Sequence, residues 1–473
     1  MRIGVLAQRV VPLTGVLFIG LLMLFAARAP FTASFWLDET ISAWIVRGSF
    51  DDVVRRSMIY QGQSPFYYLL LLGTSILVGT EEVAMRSGSI LLGLVGLWQV
   101  YRLATLLSGQ REAGIVAAGA LLCMNPFQDA LLSARPYALS FVCALASVTS
   151  LHRLLERFSY REAFLFTLSC VATFYAHYLF SVIFVVHCMF ILSTKGLFKR
   201  LLPWIVGGAC ACAPMIPQLL SLLSRRSGLM FAHFPNLAGF INGTAPVPVL
   251  ASVLLSLALA LVWGGTMVIE PRCKRGFRFL VPYIVTPIVV FALWSLGGSG
   301  SMWVTRYWGW QAAMWAAFLG MCVATVRGDR ARLIVVCSVF GFFALRLGTQ
   351  VRILEDWRGA AAAVRSSQGV IGLYSGLVEV ESNSGAQQTE YREYVRAPLS
   401  VYGVTAPIET LSFSRMEEDI ARIKGEAGSF VIFNRLVDGE STVGIAREII
   451  AKEGLKLAER PQGSLITVLT AVR

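Results

Sequence analysis

Asp38 and Glu39 are adjacent carboxylates in the stretch Phe35-Trp36-Leu37-Asp38-Glu39-Thr40-Ile41-Ser42-Ala43-Trp44-Ile45-Val46-Arg47, just after a long apolar run. That run, Val10 to Ala27, is free of charge over about 18 residues, close to the ~20 a spanning helix needs. Arg2 and Arg9 precede it, a basic flank that marks a cytoplasmic end, so both carboxylates are expected at the outer membrane face. There they suit proton abstraction from an incoming hydroxyl, or the plainer task of an acidic N-cap in a helix dipole. Ile41, Trp44 and Ile45 recur at helical spacing opposite Ser42 and Arg47, the pattern of a helix lying in the interface. Further polar chemistry sits in later loops, in Gln128, Asp129, Ser133, Arg135, His177, Arg225, Arg226, His233 and Arg306.

The elements that position these residues follow from composition. With 56% hydrophobic residues, 15% charged residues and a mean hydropathy of +0.65 over 473 residues, the chain reads as a polytopic α-helical membrane protein. A soluble domain carries nearer a quarter charged. The net charge of +13 divides unevenly. Residues 1–348 hold 27 Lys+Arg against 12 Asp+Glu, and residues 349–473 hold 14 against 16. The excess therefore belongs to membrane loops, and no nucleic-acid partner is expected. All nine cysteines lie in or beside apolar segments without a disulfide or zinc spacing. The four histidines form no HxxxH or HExxH pattern, so no protein-held metal is expected. The N-terminal apolar core is too long for a usual signal peptide, and Pro30 follows it directly, so it is read as an anchor.

Topology turns on Phe66 to Val78, an apolar stretch of about 13 residues, too short to cross a bilayer. Left uncrossed, it makes residues 28–85 one external loop. Spans are then expected at about 10–27, 86–107, 112–127, 136–155, 162–177, 178–193, 201–223, 247–269, 277–296, 307–326 and 331–348, about eleven in all. The loops 108–111, 156–161, 195–200, 271–278 and 327–332 each carry a basic residue and fall inside, while Asp38, Asp129, Arg135, His177 and Arg306 fall outside. Mid-span charges are nearly absent, which argues against an ion relay. The expected organisation is a transmembrane domain over 1–348, including the external loop 28–85, and a small extracytoplasmic α/β domain over 349–473. In that domain helices are expected at 355–367, 415–424 and 443–452, and strands at 370–374, 430–433 and 465–469.

Several short motifs in this order resemble the GT-C glycosyltransferases, in the branch near the protein O-mannosyltransferases and the lipid A aminoarabinose transferase. They are Leu37-Asp38-Glu39-Thr40, Ser64-Pro65-Phe66-Tyr67-Tyr68-Leu69, Met85-Arg86, Ala134-Arg135-Pro136-Tyr137-Ala138-Leu139 and Ala176-His177-Tyr178, with Thr305-Arg306-Tyr307 and Glu355-Asp356-Trp357-Arg358-Gly359-Ala360 agreeing later. The resemblance implies a GT-C-like fold and an inverting glycosyltransferase acting at the external face of a bacterial inner membrane. Its donor would be a hexose or pentose on a polyprenyl phosphate, and its acceptor the hydroxyl of a glycan, lipid or protein. It assigns Asp38 as catalytic base, with Glu39 orienting it or holding a sugar hydroxyl. One positioned carboxylate suffices for a single inverting displacement. The leaving lipid phosphate needs cationic stabilisation, for which Arg306 and Arg135 are the candidates, with His177, Tyr137 and Tyr307 beside them. Relatives carry Glu where this chain has Ser133, and Asp129 stands one turn earlier as a substitute. A Mg²⁺ ion could enter through the donor phosphate.

Two other classes compete. A lipid or glycan transporter or flippase lacks support because no paired, Gly/Pro-broken spans recur in two halves. A catalytically inactive GT-C-shaped scaffold is compatible with Ser133 and is separated only by activity.

Overall fold

The computed structural model describes residues 33–224, 236–296, 303–347, 355–365, 369–377, 389–437 and 440–472. The expected first span at 10–27 and Arg225, Arg226 and His233 lie outside them. The helices, in chain order, are α1 (Leu37–Val46), α2 (Phe50–Ile59), α3 (Phe66–Val78), α4 (Glu82–Ser108), α5 (Arg111–Leu122), α6 (Asn125–Leu131) and α7 (Tyr137–Glu156). Next come α8 (Tyr160–Ala176), α9 (Ile183–Ser193), α10 (Leu197–Cys212), α11 (Ile216–Ser224), α12 (Leu237–Thr244), α13 (Val247–Val262), α14 (Pro271–Leu296), α15 (Gly309–Ala324) and α16 (Asp329–Leu347). The last four are α17 (Trp357–Val364), α18 (Thr389–Ser400), α19 (Met416–Ile423) and α20 (Thr442–Lys452).

Two compact units emerge. The described residues of 62–67 and 86–351 form one, and those of 30–61, 68–85 and 352–473 form the other. The first is helical. Among the described residues, four helices are long and apolar enough to cross a membrane, or five if the bent pair α5 and α6 is one span. The length of α3, 13 residues, gives about 20 Å against a hydrocarbon core of ~30 Å. Small residues close the centre of this unit. Ala113, Ala117 and Ala120 of α5 meet Ala313, Ala316, Ala317 and Gly320 of α15, all buried. A Cβ at Gly320 would come within 2.2 Å of the Ala113 carbonyl oxygen, the close backbone approach that small residues permit between membrane helices.

The second unit holds a five-stranded mixed sheet of β3 (Val370–Tyr374), β4 (Ile408–Thr410), β5 (Ala427–Phe433), β8 (Lys456–Gln462) and β9 (Ile466–Val472), in the order β4-β3-β5-β9-β8. Two-residue pairs β1/β2 (Thr266–Met267, Val326–Arg327) and β6/β7 (Leu436–Val437, Glu440–Ser441) lie outside it. β3 runs parallel to β4 and β5, and β9 is antiparallel to β5 and β8. Strand alternation splits the sheet into two cores. Phe430, Ile432 and Leu469 meet α19 and α20 on one face, while Val431, Ile466 and Val468 meet α17 and α18 on the other. The strand expected at 370–374 is observed as such, and the expected helices and other strands appear with shifted ends.

The boundary expected at 348/349 does not separate the units, because the segment read as part of the membrane domain shares its core with the C-terminal region. Tyr402 Oη accepts from Phe35 N at 2.7 Å and donates to Glu82 Oε1 at 3.0 Å. Arg358 Nε lies 3.2 Å from the same Glu82 oxygen. α1 is also not the interfacial helix that its pattern suggested. Residues Glu39 to Val46 are all buried in protein, with Trp44 edge-on to Tyr60 at 5.3 Å and 5.8 Å from Tyr394. Arg55 and Arg56 pair with Glu390, and Arg47 donates to the Val401 carbonyl at 2.9 Å.

Candidate active site

The α5–α6 pair bends by 74°, with Pro126 in the first turn of α6 where a missing N–H is harmless. α6 therefore runs beside the 3-10 turn Thr305–Trp308, and its Asp129 carboxylate feels the Arg306 guanidinium. Ser133 Oγ donates to the Asp129 carbonyl at 2.6 Å, so Ser133 closes the turn that follows α6 and its side chain is spent on backbone. Pro136 then sits as the N-cap of α7 and disfavours helix at Arg135, which leaves Tyr137 as the first helical residue. α8 stops at His177 because its backbone turns extended there, and His177 Nδ1 accepts from Leu179 N at 3.3 Å to start the 3-10 turn Tyr178–Val182.

Three chain breaks thus deliver one aromatic and cationic cluster. The Tyr137 ring lies 5.4 Å from His177 and 6.5 Å from Tyr307, and His177 lies 5.7 Å from Tyr307. The guanidinium carbons of Arg135 and Arg306 each lie 6.0 Å from the Tyr137 ring centre, and Arg306 lies 5.8 Å from Tyr307. Arg135 and His177 are 4% and 8% exposed. Two guanidiniums on one ring in a half-dry setting, with His177 in the field of both, form a site for an anion with planar or tetrahedral oxygens. All six residues proposed for donor contact, Asp129, Arg135, Tyr137, His177, Arg306 and Tyr307, stand together in the first unit.

Asp38 and Glu39 are placed in the second unit, at the first turn of α1. Glu39 is fully buried, and its Oε2 accepts from Trp36 N at 3.2 Å, so this carboxylate ties the helix start. Asp38 keeps partial exposure beside it. A third carboxylate, Glu355, joins them. Its Oε2 accepts from Leu37 N at 2.7 Å and from Trp357 Nε1 at 2.9 Å. Burial pushes the Glu355 carboxyl up to about 7 against those two hydrogen bonds, and the charges of Asp38 and Glu39 push the same way. The sequence carries Glu355 in a recognisable motif but gives no sign that it holds the start of α1.

Sequence reading also missed a cavity of about 550 Å³ in the first unit. Trp303, Trp308 and Trp315 line it with Asn125, Asn242 and Gln311. Trp315 Nε1 donates to the Thr244 carbonyl at 2.9 Å and Gln311 Nε2 to the Ile284 carbonyl at 2.8 Å, which fixes two of its walls. Trp308 Nε1 is buried without a hydrogen-bond partner. Aromatic faces with amide groups suit a polar ring compound.

Residues 63–220 match the family profile described as dolichyl-phosphate-mannose-protein mannosyltransferase. That segment carries Asp129, Arg135, Tyr137 and His177. Among solved structures, ArnT from Cupriavidus metallidurans in the apo state is 11% identical, with 96% of this chain and 97% of that one covered at a TM-score of 0.49. The same ArnT bound to undecaprenyl phosphate is 11% identical over 96% and 97%, at a TM-score of 0.37. The arabinosyltransferase EmbB from Mycobacterium smegmatis is 13% identical, covering 74% of this chain and 32% of that one at a TM-score of 0.41. Among curated proteins, none matches the sequence.

Proposed function

We propose that the protein moves a sugar from a polyprenyl-phosphate donor to an acceptor hydroxyl at the external face of a bacterial inner membrane, with inversion at the anomeric carbon. The observation that carries this reading is the convergence of Arg135, Arg306, His177, Tyr137 and Tyr307 from three separate chain breaks. The donor is a phosphodiester with one negative charge, and the departing lipid phosphate is a monoester that approaches two. A pair of guanidiniums therefore binds the product of bond cleavage more strongly than the ground state, the requirement for catalysis by charge. The Trp-lined cavity supplies aromatic faces and amides suited to a sugar ring. In this reading the acceptor oxygen attacks the anomeric carbon, the bond from that carbon to the phosphate oxygen breaks, and the hydroxyl proton passes to Asp38. Glu39 and Glu355 hold the α1 turn that carries Asp38. Any Mg²⁺ would arrive on the donor phosphate and share its charge with the arginines.

The test is transfer in membranes from extracted polyprenyl-phosphate sugars, comparing wild type with Asp38→Asn at matched expression. General-base removal costs ~10²-fold or more in rate. Undiminished transfer by the Asn variant would overturn the base assignment, and absence of transfer by wild type from every hexosyl and pentosyl donor would overturn the function.

A further inference from the structure

At the other end of the first unit's helices lies a second pocket, of about 340 Å³, with a different chemistry. Arg102 and Thr105 of α4, Thr149 and Arg153 of α7 and Arg272 of α14 line it, and among the described residues no acidic side chain does. Arg153 lies 16 residues along α7 from Tyr137, which puts the pocket about 24 Å from the aromatic cluster at 1.5 Å per residue. The three arginines are held in place by different means. Arg272 donates from Nε and Nη2 to the Leu106 carbonyl, at 3.2 and 2.8 Å, and so covers the negative end of α4. Gly109 follows in a left-handed turn (φ +82°), and a Cβ there would meet Arg272 Nη1 at 3.2 Å, so its lack of a side chain leaves that nitrogen room. Arg102 lies over the Trp98 ring at 5.3 Å, and Arg153 shares one nitrogen with Glu162 at 3.3 Å. Arg275 adds to the same positive field, which reaches His152 together with those of Arg153 and Arg272.

We propose that this pocket binds a phosphate group, supplied by the headgroup of an anionic phospholipid. Three guanidiniums and two threonines at a helix junction match the forked, multi-donor recognition that phosphate oxygens need. The loops at this end, 108–111, 156–161 and 271–278, are basic, which places it in the cytoplasmic leaflet, where anionic headgroups concentrate and basic pockets between membrane helices collect them. The pocket is independent of the sugar-transfer reading, since none of its residues belongs to the aromatic cluster.

The experiment uses the full-length protein, delipidated in neutral detergent, with phosphatidylglycerol, phosphatidylcholine or inorganic phosphate added separately. Retention is read by native mass spectrometry and the unfolding temperature by fluorescence. The expected result is retention and a rise in Tm with phosphatidylglycerol alone. Arg102→Gln should weaken it about fivefold and Arg102→Gln/Arg153→Gln about 30-fold, at roughly a factor of five per arginine. Arg275→Gln, which lies outside the lining, should retain the lipid and serve as the charge control. Arg102 is exposed, so its single variant keeps the test valid if the double variant does not fold. Equal retention of phosphatidylcholine, or unchanged binding in Arg102→Gln, overturns the pocket. An equal rise in Tm with inorganic phosphate overturns the lipid as the source.

Discussion

Replacing Arg306 by Gln tests the charge argument most directly. Two unit charges about 4 Å apart in an environment of effective dielectric ~20 interact by about 4 kcal/mol. Donor and departing phosphate differ by one negative charge, so a fully developed leaving group gains roughly that amount from Arg306, and a half-developed one about 2 kcal/mol. At 1.36 kcal/mol per decade the expected fall in kcat lies between about 30-fold and 10³-fold, in line with removal of a single oxyanion donor. KM should move less, because the ground-state diester carries only one charge. Arg306 stands on a short 3-10 turn, 5.8 Å from Tyr307 and 6.0 Å from Tyr137, so Gln leaves the aromatic contacts among Tyr137, His177 and Tyr307 in place. Arg306→Lys should recover part of the loss, since the charge remains while the fork is lost. The assay is steady-state transfer in proteoliposomes with donor varied. A kcat within threefold of wild type for Arg306→Gln, at normal unfolding temperature, would refute the assignment of Arg306 to the leaving phosphate.

Three further outcomes are expected. Tyr402→Phe removes the acceptor of the Phe35 amide and the donor to Glu82, at a cost of about 1–3 kcal/mol seen as a lower unfolding temperature. Glu355 has a folded pKa raised from 4.5 to about 7, so the native state holds its proton more tightly and stability falls as pH rises across that window. Glu355→Gln keeps an oxygen acceptor and should flatten this part of the pH–stability curve, whereas an unchanged slope would remove Glu355 as its source. Gly320→Val places branched carbon against the Ala113 carbonyl and should destabilise the first unit by about 1–3 kcal/mol or more, read by thermal unfolding in detergent.

Arg135, Tyr137, His177, Arg306 and Tyr307, proposed for donor contact, stood out in sequence because each sits at a chain break beside a proline or an aromatic residue. Their mutual distances did not, since they depend on the bend between α5 and α6. The burial of α1 was illegible for a local reason. Ser42 Oγ donates to the Asp38 carbonyl and Thr40 Oγ1 to the Leu37 carbonyl, so polar residues that mimic a wet face are satisfied within their own helix. The pairing of Arg55 and Arg56 was illegible because their carboxylate partner, Glu390, is remote in sequence. In the C-terminal region, period-2 alternation exposed β3, β5 and β9. β4 is three residues long, and β8, with the pattern Lys456-Leu457-Ala458-Glu459-Arg460-Pro461, offers little alternation to read.

The interleaving of the second unit has a consequence for biogenesis. Residues 30–61 and 68–85 leave the ribosome first, yet Glu355, Glu390 and Tyr402, which bind Leu37, Arg56 and Glu82, are made about 270 residues later. At about 5–20 residues per second this is a wait of roughly 10–50 s, during which Trp44 and Ile45 have no core to enter. A ribosome stalled before residue 352 would release a chain whose helical unit is complete while Asp38 stands on an unfinished one. Quality control of this protein should therefore act late, on the closing of the sheet.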